Sequence, residues 1–172
     1  MTKLIRFYII ILFLIISKTL IAADMSGYLL NQAIKEFNNK NYEAAYKSLS
    51  NIAPTGNPVA TYLLGQMYLK GLGIKINPVT AFEMILYSAE RLFSHDKVLA
   101  LESQITLSNM YKKGIGTNEN NEKAYMWAFI AHKTNERMHL SYLKELQTHL
   151  TPKEIMNIEK KGLKLFKGFI AD

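Results

Sequence analysis

From residue 26 onward the chain reads as helix after helix with short breaks, and no stretch shows the apolar-polar alternation of a strand. The pattern predicts eight helices, near 26–38, 42–53, 58–70, 78–93, 97–113, 121–134, 136–149 and 152–169. Three of the breaks share one start signal: Asn57-Pro58, Asn77-Pro78 and Thr151-Pro152. The Asn or Thr side chain caps the first free amides, and proline at the first helical position gives up an amide that had no partner. Glu154, three residues after Thr151, completes a capping box. The expected class is all-α.

The helices repeat. Ala60 aligns with Ser103, Leu64 with Leu107, Gly65 with Ser108, Met67 with Met110 and Tyr68 with Tyr111. The same offset pairs Gly71 with Gly114, Gly73 with Gly116, Asn77 with Asn120 and Ala81 with Ala124. A register that does not slip over so many positions marks a duplicated helical hairpin. Leu64 and Tyr68 are four apart and share one face of the first helix. Gly65 lets a neighbouring helix approach closely. Gly71 and Gly114 follow the helix where a left-handed residue closes the last turn, and Gly73 and Gly116 let the loop double back. A lysine beside paired glycines also suggests a phosphate loop. Yet a Walker loop needs G-x-x-x-x-G-K-[ST] after a strand, and a dinucleotide fingerprint needs a strand and a third glycine. Here a helix precedes the glycines. They are expected to serve the backbone.

A60TYLLGQMYLKGLGIKINPVTA81, running on to Ser88-Ala89, resembles the Sel-1-like repeat, a relative of the tetratricopeptide repeat. A second copy runs from Ser103 through Ala124, with Trp127 at the family's tryptophan position and Ala131 after it. Met84 stands at the tryptophan position of the first copy. Ser103 and Ser108 replace the family's alanine and glycine in the second, so its helix contact is expected to be looser. The spacing between copies exceeds the family period, which places the extra residues within 91–103. Ala33, Phe37, Tyr42 and Ala45 stand at tetratricopeptide packing positions, and 141–166 resembles the closing helices of bacterial Sel-1-like proteins. The resemblance implies a right-handed αα-hairpin solenoid with an extended groove for a protein partner. The expected units are a tetratricopeptide-like hairpin at 25–56, repeats at 57–93 and 97–134, and capping helices at 136–170, all within a helical domain, 24–172.

Residues 1–23 read differently. MTKLIR carries two positive charges, FYIIILFLII (7–16) is unbroken apolar sequence, and Ala22 and Ala23 precede an acidic residue. That is the layout of a secretory signal peptide, cut after Ala22 or Ala23. Lys18 interrupts the run before it reaches spanning length. The expected location is periplasmic or secreted, and the alternative is an uncleaved leader tethering the chain to the inner membrane. Removing the leader takes Lys3, Arg6 and Lys18 with it and lowers the net charge from +7 to +4. The case for a nucleic-acid partner falls accordingly. The densest basic stretch, 160–168, is expected to be a solvated helix face. With no cysteine, disulfides, thiolate metal sites and thiol catalysis are excluded.

Candidate chemistry is sparse. Ser141 and Lys144 fit the S-x-x-K acylase signature, but S-D-N and K-T-G are missing, and Tyr142 and Leu143 between them suit helix packing. His132, Glu136 and His139 have the spacing of one helical face, but KTNE (133–136) looks like an inter-repeat turn. His95 and His149 have no evident partners in the sequence. No catalytic, metal or cofactor site is assigned. In the tetratricopeptide register, the first-helix positions facing the groove are Tyr62, Gln66 and Leu69, with counterparts Ile105, Asn109 and Lys112 and with Lys113 beside them. A mixture of Tyr, amide and Lys suits a peptide or protein partner. The expected function is a non-enzymatic scaffold that binds an envelope protein, such as a cell-wall remodelling enzyme or a secretion component. The alternatives are a secreted host-contact factor and a cell-wall or β-lactam hydrolase using Ser141 and Lys144. Nothing in the pattern sets an oligomeric state.

Overall fold

The computed structural model describes Tyr8 and residues 26–135 and 140–171. The leader at 1–23 falls outside the described residues except for Tyr8, and so do Glu136 and His139. Eight helices follow one another, and no strand occurs among the described residues: α1 (26–38), α2 (Tyr42–Ile52), α3 (Pro58–Lys70), α4 (Pro78–Arg91), α5 (Lys97–Lys113), α6 (Asn121–Thr134), α7 (Leu140–Gln147) and α8 (Pro152–Ala171). Two helices expected to run further stop early, and tight 3₁₀ turns, Ala53–Thr55 and Leu92–Ser94, finish them. No helix among the described residues is long and apolar enough to cross a membrane.

The starts follow the caps. The Asn57 side chain accepts from the amides of Val59 and Ala60 at 3.0 Å, Asn77 accepts from Thr80 at 3.2 Å, and Asn120 accepts from Lys123 at 2.8 Å. Thr151 and Glu154 form the reciprocal box: the Thr151 amide donates to Glu154 at 2.7 Å, and the Glu154 amide donates back to the hydroxyl at 3.3 Å. Asp96 caps α5, accepting from Val98 and Leu99. Its cap starts α5 early, giving 17 residues against 13 in α3. The turn at Leu92–Ser94 matches the one at Ala53–Thr55 in length, so the extra residues are spent on a longer α4, 14 residues against 11 in α2, and on an added first turn of α5.

The helices pack in sequence, each hairpin on the one before. A Cβ on Gly65 would lie 2.9 Å from Ile85 and 3.2 Å from Met84, so the missing side chain is what lets α3 and α4 meet. In the second repeat Ser108 stands there without loosening the contact. Its buried hydroxyl donates to the Ala124 carbonyl on α6 at 2.6 Å and lies 3.1 Å from the Tyr142 hydroxyl on α7. The serine exchanges close approach for a hydrogen bond that a glycine cannot make.

The paired glycines divide the work. All four are left-handed, with φ from +65° to +72°. Gly71 and Gly114 cap α3 and α5, donating to Met67 and Met110 carbonyls. The second glycine of each pair meets the previous hairpin. A Cβ on Gly73 would lie 2.7 Å from the Tyr42 Cβ, and one on Gly116 would lie 2.0 Å from the Pro78 carbonyl oxygen. Tyr42 and Pro78 are the first residues of α2 and α4. Each loop thus rests on the start of the preceding hairpin's second helix, and glycine sets the stacking distance.

The last helix turns back across the array. Glu159 of α8 accepts from the Tyr125 hydroxyl at 2.6 Å, and Gly162 sits against Phe129. Phe166 meets Phe93 edge-on at 5.5 Å, and Phe169 stacks on Trp127 at 6.4 Å. Helix α8 therefore seals the seam between the end of α4 and α6. Tyr125 also accepts from Gln147 on α7 at 2.8 Å, so one buried hydroxyl ties α6, α7 and α8 together.

Candidate functional site

Helices α3 and α5 are the first helices of their hairpins, and a cavity of about 620 Å³ opens between them. Tyr62, Gln66 and Lys70 form one wall, and Leu101, Glu102, Ile105 and Thr106 form the other. Lys97 and Asn135 stand at its edges.

Tyr62, expected as an exposed groove residue, is only 4% exposed, and Gln66 is 6% exposed. They form the buried part of the α3 wall and not the rim. Burial pushes the Tyr62 hydroxyl up to about 12, with the Glu102 carboxylate adding to the shift and hydrogen bonds from Thr106 and Gln66 opposing it. At neutral pH it is an uncharged hydroxyl among an amide, a carboxylate and an alcohol. That set can both donate to and accept from a peptide backbone, with Ile105 and Leu101 as apolar contacts.

The other four residues assigned to the groove do not line this cavity. Leu69 is half-buried and packs on the core. Asn109 donates to the Ile105 carbonyl of its own helix at 3.1 Å. Lys112 pairs with Glu145 of α7 at 2.5 Å and lies over the Tyr142 ring, 5.5 Å from its centroid. The pairing holds the Glu145 carboxyl below its ordinary range and Lys112 above its own. The physical reason is α7, whose Glu145 and Tyr142 side chains reach this end of α5 and engage Lys112. Lys113 is exposed, one step around the helix.

Glu102, Thr106, Leu101 and Lys97 were not singled out by the sequence. Two of them were within reach, because Leu101 and Glu102 lie four and three residues before Ile105 on the same helical face. The added turn of α5 carries Lys97, and it has no counterpart in the first copy.

The other candidate residues are scattered. Ser141 and Lys144 are both exposed on α7, while Leu143 is buried and Tyr142 packs on the core. His132 lies in the last turn of α6, which ends at Thr134 with Asn135 extended, so no continuous helix carries it toward position 139. His95 shares its Nδ1 between the Arg91 carbonyl and the Ser94 hydroxyl, each at 3.1 Å. His149 is exposed.

The Sel1 repeat family model matches residues 58–91 and 101–131, the two hairpins built from α3 with α4 and from α5 with α6. The chain carries two Sel1 repeats. Among solved structures it is similar to c5321, described as a protective antigen present in uropathogenic Escherichia coli strains displaying an SLR fold. That likeness has a TM-score of 0.70 and 17% identity over 85% of this chain. It is also similar to a Sel1 repeat protein from Oxalobacter formigenes, with a TM-score of 0.59 and 26% identity over 78% of this chain. The alignments span 32% and 54% of those two proteins, so this chain covers only part of the length of either. No curated protein matches the chain. The match covers the two central hairpins, and Sel1 repeats typically mediate protein interactions.

Proposed function

We propose that this protein is a non-enzymatic adaptor that is exported by its N-terminal leader and holds a segment of an envelope protein in the groove between α3 and α5. The observation that carries the reading is the groove lining. Tyr62, Gln66, Glu102 and Thr106 offer donors and acceptors beside the apolar Ile105 and Leu101, a mixture that suits a peptide segment. The leader layout supports the envelope location. A partner there would be a cell-wall remodelling enzyme, a secretion component or a signalling protein.

The test is photocrosslinking in living cells, with a photoreactive residue at Ile105 or Lys70, followed by mass spectrometry of the adducts. A single dominant protein adduct from both positions is the expected outcome. Adducts on glycan, or equal labelling from exposed control positions such as Lys144, would overturn the groove assignment. Fractionation and intact mass from the same cells test the rest of the proposal. Retention of 1–23 would make the protein membrane-tethered, and recovery from the culture medium would make it secreted.

A further inference from the structure

The repeat symmetry of the chain offers a comparison that no single hairpin allows. Each repeat forms a trough on the side away from the α3/α5 groove, walled by the second helices of two successive hairpins. The walls correspond. Ala45, Tyr46 and Leu49 of α2 hold the places of Ala81, Phe82 and Ile85 of α4, and the buried members match. Tyr46 meets Tyr68 edge-on at 6.3 Å just as Phe82 meets Tyr111 edge-on at 5.2 Å. Tyr68 and Tyr111 are repeat counterparts, so the two troughs are the same structural feature met twice.

What differs is the filling. In the second trough Trp127 is 3% exposed, and Phe169 of α8 stacks on it. Leu165 and Phe169 also lie beside Glu90, the counterpart of Pro54. In the first trough the counterpart of Trp127 is Met84, which is only half-buried. A largely apolar recess of about 500 Å³ remains there, lined by Tyr46, Ser50, Pro54, Leu64, Met84 and Tyr87. Gly56 borders both the recess and the cleft against Phe169 of α8.

We infer that this recess is a docking site for an amphipathic helix of a partner protein, one that presents aromatic side chains three residues apart as Phe166 and Phe169 do on α8. The chain itself shows how such a trough is closed: an aromatic ring stacks on the tryptophan while the rest of the helix lies along α6 and reaches the turn after α4. Methionine at that position lowers the floor and leaves room for the incoming ring, and its flexible thioether contacts aromatic edges well. The Tyr46 and Tyr68 hydroxyls, 3.2 Å apart, form a polar point within the site. They favour a ring that carries its own donor, such as an indole. Insertion of an amphipathic helix into an apolar groove is a recurrent recognition mode. The surface is separate from the α3/α5 groove, so either reading can fail without the other.

The test uses the full chain and a fluorescently labelled peptide with the sequence of residues 152–171 as the probe, read by anisotropy. Saturable binding is expected, with a dissociation constant on the order of 10 µM to 1 mM. Replacing both peptide phenylalanines by alanine should weaken binding about tenfold or more. Met84→Trp fills the recess from within and should weaken it to a similar degree. Ser50→Lys, at the half-buried rim, should do the same and guards against misfolding of the tryptophan variant. Lys144→Ala, exposed on α7, should leave binding intact. The inference is overturned by the absence of saturable binding at millimolar peptide or by unchanged binding to Met84→Trp. It is also overturned if amide protection is lost in α8 as the peptide binds, which would show displacement of α8 from its own seat.

Discussion

Replacing Gly114 or Gly116 by alanine puts the same methyl group on nearly the same left-handed backbone, at φ +65° and +70°. The conformational cost is therefore shared, about 1–2 kcal/mol for an L-residue in this region. The surroundings differ. At Gly114 the new Cβ would meet nothing closer than the Glu119 amide nitrogen at 3.3 Å, which a small adjustment absorbs. At Gly116 it would lie 2.0 Å from the Pro78 carbonyl oxygen and 2.5 Å from its carbon. Those atoms belong to the start of α4 and cannot rotate away, so the loop must lift off the preceding hairpin by about 1 Å. Overpacking of that kind costs roughly 1–3 kcal/mol more. Gly114→Ala should thus lose about 1–2 kcal/mol and Gly116→Ala about 2–5 kcal/mol, a large part of a typical domain's 5–15 kcal/mol. Urea unfolding followed by circular dichroism at 222 nm measures both. Equal losses in the two variants would refute the claim that the second glycine sets the distance between hairpins.

Two further outcomes follow from the tyrosines. Tyr125→Phe removes the bonds to Glu159 and Gln147 and should cost about 1–3 kcal/mol, with hydrogen exchange rising in α7 and α8 before it rises in α3. Tyr62 is held protonated up to about 12 in the fold against 10.0 in the unfolded chain, so the folded state keeps a proton that the unfolded state loses. The stability it contributes is complete below pH 10 and is lost as pH rises toward 12. Urea midpoints taken across that range should fall less steeply in Tyr62→Phe than in the parent.

Features that depend on neighbours along the chain were legible in the sequence, and features that depend on distant neighbours were not. Caps at Asn57, Asn77 and Asn120 act within three residues, and so does the Thr151–Glu154 box, which is why helix starts could be read directly. The spacing of the glycines revealed turns, because a left-handed φ is a local demand. It could not reveal that Gly73 and Gly116 touch Tyr42 and Pro78, since that contact joins residues more than thirty apart. The groove suffered similarly. Counting helical faces found Tyr62, Gln66 and Ile105, but the added turn of α5 supplies Lys97, and α7 claims Lys112. The resemblance of 141–166 to closing helices did not say which seam α8 would close.

That seam can be tested from its other side. Trp127→Met gives the second trough the residue that the first already has. It removes most of a buried indole and the stacking partner of Phe169, a loss of about 2–4 kcal/mol for a large-to-small change in a packed site. Helix α8 should not detach, because Tyr125–Glu159, Gly162 on Phe129 and Phe93–Phe166 are untouched. Only its final turns lose their platform. Amides near 167–171 should therefore exchange faster while those near 155–162 keep their protection. Uniform deprotection of α8 would mean that Trp127 holds the whole helix, and an unchanged urea midpoint would mean that the stack contributes nothing. In the first repeat the same methionine leaves no such helix unsupported, since among the described residues no helix of this chain lies over Met84. The two troughs differ at the tryptophan position because one is closed from within the chain and the other is left for a partner to close.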